Sequence, residues 1–191
     1  MIELIIFDLD GVLVRAKEMH FNALNEALES VNIYDGLKTK DKLNILTDKK
    51  GLPKSEHENV WLKKQKITAQ KINEIEKDSN LVQLFEFLFN HKLKIACCSN
   101  SIRSSLEGVL QKLGLIDFFD YILSNEDVCK SKPHPEMYWQ TMIKFGKLSE
   151  QTLIVEDSPH GLLAAQRSGA NILRVKDPSD LTIQKVKSKL K

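Results

Sequence analysis

The stretch Leu4-Ile5-Ile6-Phe7-Asp8-Leu9-Asp10-Gly11 decides the fold of this chain. Its apolar run predicts a buried strand that ends in two carboxylates two residues apart, followed by a glycine. A carboxylate is buried only where a metal, a charge or hydrogen bonds compensate it. Asp8 and Asp10 either share one face of a continuing strand, or Gly11 turns the chain and brings Asp10 back over the strand end. Both arrangements place two acids at the carboxyl end of a first strand, where open α/β sheets hold their sites.

The composition is that of an ordinary globular chain, long enough for one core and a modest insertion. Its 191 residues are 42% hydrophobic and 28% charged, and the formal net charge is +2. This charge argues against a nucleic-acid-binding face, and no apolar run reaches the length of a membrane span. The N-terminus enters a strand without a signal-peptide pattern, and 3 cysteines give no disulfide framework. We expect a cytoplasmic protein, monomeric or weakly dimeric, that binds neither nucleic acid nor membrane.

The rest of the chain alternates between apolar strands and amphipathic helices. After the first strand, residues 15–77 are sparse in apolar positions, which indicates a small and mobile helical insertion. Regular alternation then predicts four more strands, at residues 93–98, 119–123, 153–155 and 171–175. This order predicts an α/β fold, a doubly wound parallel sheet of the Rossmann-like kind with helices on both faces. We expect a core domain of residues 1–14 and 78–191 and an all-helical cap domain of residues 15–77.

Two of the predicted helices flank the fourth strand. In the helix that precedes this strand, Trp139, Met142 and Ile143 lie at helical spacing, and we predict that all three face the core. The helix that follows the strand carries the small residues Ala164 and Ala165. Both helices are therefore expected to pack on the sheet.

Polar side chains follow four of the predicted strands at the points where these end. In chain order they are Asp8 with Asp10, Ser99 with Asn100, Lys132, and Glu156 with Asp157. A right-handed doubly wound sheet brings such strand ends to one edge. Four carboxylates in one cleft require a cation, and oxygen ligands without histidine or cysteine indicate Mg²⁺. An Asp-Gly pair alone is equally typical of an ordinary turn, so the later stretches decide in favour of a site.

Each residue type in this set has a use in phosphoryl transfer. An aspartate can attack phosphorus and form an aspartyl phosphate. A second acid with a raised pKa can protonate the leaving oxygen and later activate water. Ser99, Asn100 and the free N–H groups of the following helix suit phosphate oxygens. Lys132 balances the charge that develops on the transferred group.

The motifs resemble those of the haloacid dehalogenase-like hydrolase superfamily. The resemblance covers residues 1–14 and about 78–175. It rests on four ordered motifs: Asp8-Leu9-Asp10-Gly11-Val12-Leu13, Cys98-Ser99-Asn100-Ser101, Lys130-Ser131-Lys132-Pro133-His134-Pro135-Glu136 and Val155-Glu156-Asp157-Ser158-Pro159-His160-Gly161-Leu162. The helical insertion is similar to the small cap of the subgroup that holds phosphoglycolate phosphatase and β-phosphoglucomutase.

The resemblance implies a role for each catalytic residue. Asp8 is the nucleophile and Asp10 is the general acid and base, while Ser99 and Lys132 bind the phosphoryl group. The dehalogenases of the superfamily do not need a proton donor two residues after the nucleophile, and the phosphonate-cleaving branch lacks it. The presence of Asp10 therefore favours phosphate esters.

The resemblance also implies a magnesium site. Mg²⁺ is held by Asp8, by the backbone carbonyl of Asp10 and by Asp157, with Glu156 close to the metal. These residues come from the first and fourth motifs, so the metal site depends on the predicted pairing of strand ends.

Three features of the cap bear on the substrate. Arg15 stands where relatives usually carry an aspartate, and it either pairs with a second anion of the substrate or is an exposed hinge residue. His20 either faces the substrate or is a partly buried helix histidine with a backbone partner. Residues 38–40 follow Gly36 where related caps place a substrate-contact loop, although lysines there are most often solvated.

We therefore predict a Mg²⁺-dependent phosphatase that acts on a small phosphorylated metabolite through a phospho-Asp8 intermediate. A phosphomutase of the β-phosphoglucomutase type shares every core motif and differs in its cap, and this short cap favours hydrolysis. A non-catalytic module that binds a phosphometabolite has no need of both a nucleophile and an acid, which argues against it. A sugar phosphate, phosphoglycolate and a nucleoside monophosphate all remain open as substrates.

Overall fold

The centre of the molecule is a five-stranded parallel sheet. The structure is a computed structural model that describes residues 1–28 and 39–190. Its strands are β1 (Leu4–Phe7), β2 (Lys94–Cys98), β3 (Tyr121–Leu123), β4 (Thr152–Glu156) and β5 (Asn171–Arg174). They are arranged in the order β3-β2-β1-β4-β5, and every pair is parallel. Because the order reverses beside β1, the crevice of the sheet lies at the end of this strand. The predicted doubly wound parallel sheet is confirmed.

Helices connect the strands and form the insertion after β1. In the part of the chain that the structure describes they are α1 (Ala16–Leu28), α2 (Thr39–Lys50), α3 (His57–Ile72), α4 (Ser79–Asn90), α5 (Arg103–Leu113), α6 (Glu136–Phe145), α7 (Pro159–Ser168) and α8 (Ile183–Lys187). Within residues 1–28 and 39–190, none of them combines the length and the apolar character needed to cross a bilayer. The predicted contact loop lies outside the described residues at Gly36 and Lys38, and so do the side chains of Thr39 and Lys40.

Both faces of the sheet are covered, because alternate residues of β1 point to opposite sides. Ile5 and Phe7 pack with residues of α4, α5 and α8, whereas Leu4 and Ile6 pack with residues of α6 and α7. All four side chains are fully buried. This burial on two faces explains why β1 is a continuous apolar run and not an alternating pattern.

Helix α6 corrects one prediction from the sequence. Met142 is buried as predicted, but Trp139 and Ile143 are 43% and 78% exposed. Met137 and Tyr138 face the sheet instead. Two overlapping sets of residues in α6 have helical spacing, one with Trp139 and Ile143 and one with Tyr138. The prediction favoured the first set because the side chain of Tyr138 carries a polar hydroxyl group.

The helical insertion has an apolar cluster of its own. Its buried members come from α1, α2 and α3 and are Ala23, Leu24, Ala27, Leu43, Leu46, Val60 and Ile67. Ile72, at the end of α3, packs with the main cluster of the sheet instead. The division into core and cap with a boundary after residue 77 stays a prediction.

Phe85 anchors α4 to the sheet, and its removal is expected to destabilise the fold. Its ring is fully buried and lies 5.0 Å from the ring of Phe7 and 5.1 Å from that of Phe119. Phe85→Ala should lower the free energy of unfolding by about 3–5 kcal/mol. Phe89→Ala on the same helix is the matched control, because this ring is 64% exposed. Urea denaturation measures both variants, and equal losses would contradict the core position of Phe85.

Candidate active site

A turn at Gly11 positions the two acids that follow β1. The backbone N–H of Asp8 donates to the carbonyl of Val155 at 3.0 Å, so pairing with β4 continues to this residue. Gly11 has a φ of 96°, and its N–H donates to the carbonyl of Val14 at 2.7 Å. Of the two arrangements that the sequence left open, the structure has the turn, and Asp10 is presented by this turn and not by a continuing strand.

Lys132 is the buried cation that joins the acids. Its side chain is only 3% exposed, and its Nζ donates to Asp8 Oδ1 at 2.7 Å, to Glu156 Oε1 at 2.6 Å and to the carbonyl of Cys98 at 2.8 Å. An ammonium group has three donors, and all three are used here. Burial works against the charged form, but Asp8 and Glu156 outweigh it and hold the pKa of Lys132 well above its usual value.

The acids outnumber the lysine at this point. Burial raises the pKa of Asp8 well above its usual value, and the charge of Glu156 adds to the rise, while Lys132 opposes it. Asp157 is buried beside them. Three carboxylates and one ammonium leave an excess of negative charge, which a bound cation would compensate.

The carboxylate of Glu156 is fixed from two sides. Its Oε1 accepts from Lys132 and from the hydroxyl of Tyr138 at 3.0 Å. Its Oε2 accepts from the N–H of Asp157 at 2.9 Å, the N–H of Ser158 at 3.1 Å and the hydroxyl of Ser158 at 3.2 Å. A Cβ atom at Gly161 would lie 1.8 Å from Oε1, so the first turn of α7 packs directly on this carboxylate. Glu156 is therefore held in one position.

Carboxylate oxygens at this edge of the sheet fit the predicted metal. Asp8, Glu156 and Asp157 are buried, and each offers an oxygen atom within 4.8 Å of those of the other two. A donor set made of oxygen atoms alone suits Mg²⁺. Since both oxygens of Glu156 already accept hydrogen bonds, Asp8 and Asp157 are the better candidates for direct ligands.

Asp10 lies in a separate polar network that reaches into the insertion. Its Oδ2 accepts from the hydroxyl of Ser101 at 2.9 Å, and its Oδ1 is 3.4 Å from Nε2 of His20. The other ring nitrogen of His20 is 3.4 Å from Nζ of Lys64. Within residues 1–28 and 39–190, His20 thus contacts two charged side chains, and no hydrogen bond joins it to the backbone partner considered from the sequence.

The pKa of Asp10 is shifted in the direction opposite to the one expected for the second acid. Burial would raise the pKa of Asp10, but His20 and Ser101 outweigh it and hold the pKa below its usual value. The raised pKa predicted for the second acid is therefore wrong for this arrangement. Burial lowers the pKa of Lys64 to about 8, although Asp10 opposes this shift.

Lys64 is a site residue that the sequence analysis missed. It is 8% exposed although it lies in a lysine-rich helix. Its spacing from Val60 and Ile67, four residues before and three after, places it on the buried face of α3. That spacing is the signal by which it could have been found.

The loop after β2 contacts both networks. Ser99 is buried, and its hydroxyl accepts from the N–H of Ser101 at 3.0 Å. The amide side chain of Asn100 accepts from the N–H of Lys132 and donates to its carbonyl, both at 3.2 Å. Asn100 thus holds the backbone that carries the lysine, and its predicted contact with phosphate, like that of Ser99, stays a prediction.

Among the contacts of the described residues, Arg15 pairs with a residue outside these networks. Its guanidinium lies 3.5 Å from a carboxylate oxygen of Asp177, and the two side chains are 70% and 45% exposed. An ion pair this exposed contributes little to stability. The predicted pairing of Arg15 with a substrate anion stays a prediction, as does a substrate contact of His20.

The lowered pKa of Lys64 is expected to make stability depend on pH. An unfolded lysine has a pKa of about 10.4, so between about pH 8 and 10 the unfolded chain binds more protons than the folded chain. Stability should therefore rise with pH in this window, by up to about 1.4 kcal/mol per unit from this group. Urea unfolding of the wild type and of Lys64→Met at several pH values measures the effect.

The exposed neighbour Lys63 supplies the control for this measurement. Lys63→Met should follow the pH dependence of the wild type, since Lys63 lies on the exposed face of α3. If the free energies of unfolding of the wild type and of Lys64→Met differ by the same amount from pH 8 to 10, the buried lysine does not carry this linkage.

Sequence and structure comparisons identify the family. Residues 5–175 match the family described as haloacid dehalogenase-like hydrolase. A phosphorylated carbohydrates phosphatase from Thermotoga maritima is 26% identical over 179 residues, which cover 87% of this chain and 82% of the relative. The pyrophosphatase PpaX from Oceanobacillus iheyensis is 28% identical over 193 residues, which cover 91% and 83%.

A solved structure agrees with this match. The β-phosphoglucomutase from Clostridium difficile has a TM-score of 0.84 at 22% identity, and the superposition covers 100% of this chain and 97% of that one. An identity this low shows a shared fold and no more. The family match includes all four motifs, and the predicted membership is confirmed: this chain belongs to the haloacid dehalogenase-like hydrolase family.

Proposed function

We propose that this protein is a Mg²⁺-dependent phosphatase that hydrolyses a small phosphate monoester through a phospho-Asp8 intermediate. The observation that carries the proposal is the buried pair of Asp8 and Lys132, with a second acid, Asp10, in its own hydrogen-bonded network. A buried carboxylate held by a lysine beside a second carboxylate is an arrangement suited to covalent phosphoryl transfer. The relatives named as phosphatases support it.

Asp8 acts first as the nucleophile. Lys132 holds Oδ1 of Asp8, so the other carboxylate oxygen is presented to phosphorus. As the bond from this oxygen to phosphorus forms, the bond from phosphorus to the ester oxygen breaks. The ammonium of Lys132 stabilises the charge that develops on the phosphoryl oxygens, and Ser99 binds one of them. Asp8, Asp157 and the backbone carbonyl of Asp10 would hold Mg²⁺, which would supply further charge neutralisation there.

Asp10 moves the proton in both steps. In the first step it gives a proton to the leaving ester oxygen, and in the second it takes a proton from the water that attacks the aspartyl phosphate. Its lowered pKa suits the second step. In the first step the charge of the bound phosphate raises the pKa of Asp10, since a nearby like charge disfavours the carboxylate. Hydrolysis then releases inorganic phosphate and restores Asp8.

We expect the leaving group of the substrate to lie beside Asp10, next to helices α1 and α3 of the insertion. His20 and Lys64 lie there, in contact with each other and, through His20, with Asp10. A buried cation at this point suits a leaving group that is anionic or rich in hydroxyl groups. Pyrophosphate is a second candidate substrate, which the similarity to PpaX favours. A phosphomutase uses the same core residues, and no contact among the described residues favours it over hydrolysis.

Phosphate release from a panel of substrates tests the proposal. The panel contains sugar phosphates, phosphoglycolate, nucleoside monophosphates and pyrophosphate, each with Mg²⁺ and with EDTA. Asp8→Asn should lower release by at least about 10³-fold, because it removes the nucleophile. Asp117→Asn, an exposed aspartate outside the site, is the matched control and should keep wild-type rates. Release that persists in EDTA or in Asp8→Asn would contradict the mechanism.

A variant of Arg15 tests separately whether this residue binds a second anionic group of the substrate. If Arg15 leaves Asp177 and binds a second anion, Arg15→Ala should raise KM about tenfold for substrates with two anionic groups and leave KM unchanged for those with one. Asp177→Asn removes the competing carboxylate and should lower the same KM. Unchanged KM values in Arg15→Ala for every substrate that turns over would disprove this role.

A further inference from the structure

We infer that Tyr138 is a positioning residue for phosphoryl transfer, whose hydroxyl fixes Glu156 so that Glu156 fixes Lys132. The inference rests on the proposed function, because Lys132 is the group that meets the phosphoryl oxygens. Tyr138 itself contacts neither the nucleophile nor the general acid in the hydrogen bonds of the described residues. Its role is therefore to place another side chain.

Tyr138 contacts both members of the ion pair. It is fully buried in the first turn of α6, and its hydroxyl lies 3.0 Å from Oε1 of Glu156. The ammonium of Lys132 lies 2.6 Å from the same oxygen and 5.0 Å from the centre of the Tyr138 ring. A cation over an aromatic ring is stabilised by the negative face of the ring. One side chain thus holds the carboxylate and flanks the ammonium.

The Tyr138 hydroxyl holds the oxygen of Glu156 that receives no hydrogen bond from the backbone N–H groups at the start of α7. Oε2 of Glu156 is held by the start of α7, through the N–H groups of Asp157 and Ser158. Oε1 receives hydrogen bonds from Lys132 and Tyr138 alone, within the hydrogen bonds of residues 1–28 and 39–190. Without the hydroxyl, Lys132 would be the sole partner of Oε1 among these hydrogen bonds. The carboxylate and the ammonium could then shift together, away from Asp8.

A phenylalanine would fill the same space and keep the ring under the ammonium. The hydroxyl is therefore the part of the side chain that acts on Glu156, and Tyr138→Phe removes this part alone. Tyr121 provides a matched control, because its ring also lies under a lysine, Lys144, at 5.7 Å. It lies on β3 and takes no part in the hydrogen bonds of the site.

The experiment compares Tyr138→Phe and Tyr121→Phe with the wild type, on the best substrate of the panel. Tyr138→Phe should lower kcat about tenfold and raise KM by only about threefold, because a displaced ammonium weakens binding of the transition state more than it weakens binding of the substrate. Tyr121→Phe should keep the wild-type kcat. Circular dichroism and thermal melting establish that each variant is folded. Loss of folding in Tyr138→Phe would overturn the inference, since the hydroxyl would then serve the fold.

A double-mutant cycle separates positioning from a general structural effect. In a Lys132→Ala background, Tyr138→Phe should change the residual kcat by less than about twofold, because no ammonium remains to be placed. The same tenfold loss in both backgrounds would overturn the inference. So would a Tyr138→Phe variant with the kcat of the wild type.

Calorimetric titration with inorganic phosphate and Mg²⁺ distinguishes this inference from the proposed function. Tyr138→Phe should bind phosphate at least about threefold more weakly than the wild type, and Tyr121→Phe should bind it equally well. If the wild type binds phosphate but releases none from any substrate, the phosphatase proposal fails while this comparison still decides the role of Tyr138. A wild type that binds no phosphate contradicts both.

Discussion

One buried ammonium determines how this site is built. A lysine removed from water loses a large solvation energy, and the loss is recovered only if good partners surround it. Lys132 finds them on three neighbouring strand ends, at Asp8 after β1, the carbonyl of Cys98 on β2 and Glu156 on β4. The parallel sheet presents those three groups to one point, because β2, β1 and β4 are neighbours in it. Removal of one partner from such a buried pair costs about 3–5 kcal/mol, so fold and site depend on the same contacts.

The architecture and most of the strand-end residues could be predicted because they follow from simple rules. A strand buried on both faces is continuously apolar, and β1 has this pattern. Polar residues that follow such strands meet at one edge whatever the helices between them are, so Asp8, Lys132, Glu156 and Asp157 could be grouped before any contact was known. The family match agrees with this grouping, since the four motifs lie within its span.

The side-chain contacts that set the position and the pKa of the site residues could not be predicted in the same way. Lys64 lies 44 residues from His20, and no local pattern pairs a cap lysine with a cap histidine. The rotation of α6 decides whether Tyr138 or Trp139 faces the sheet, and both choices satisfy helical periodicity. The amide of Asn100 suits phosphate and backbone equally, and only the position of the Lys132 segment shows that it binds backbone here.

The close packing of α7 on Glu156 has a consequence for how this sequence can diverge. A methyl group at position 161 would overlap the carboxylate, at 1.8 Å from one oxygen and 2.3 Å from the other. Five hydrogen-bond donors prevent that carboxylate from moving aside. Gly161 and Glu156 therefore constrain each other: a larger residue at the first position fits only where the side chain at the second is shorter.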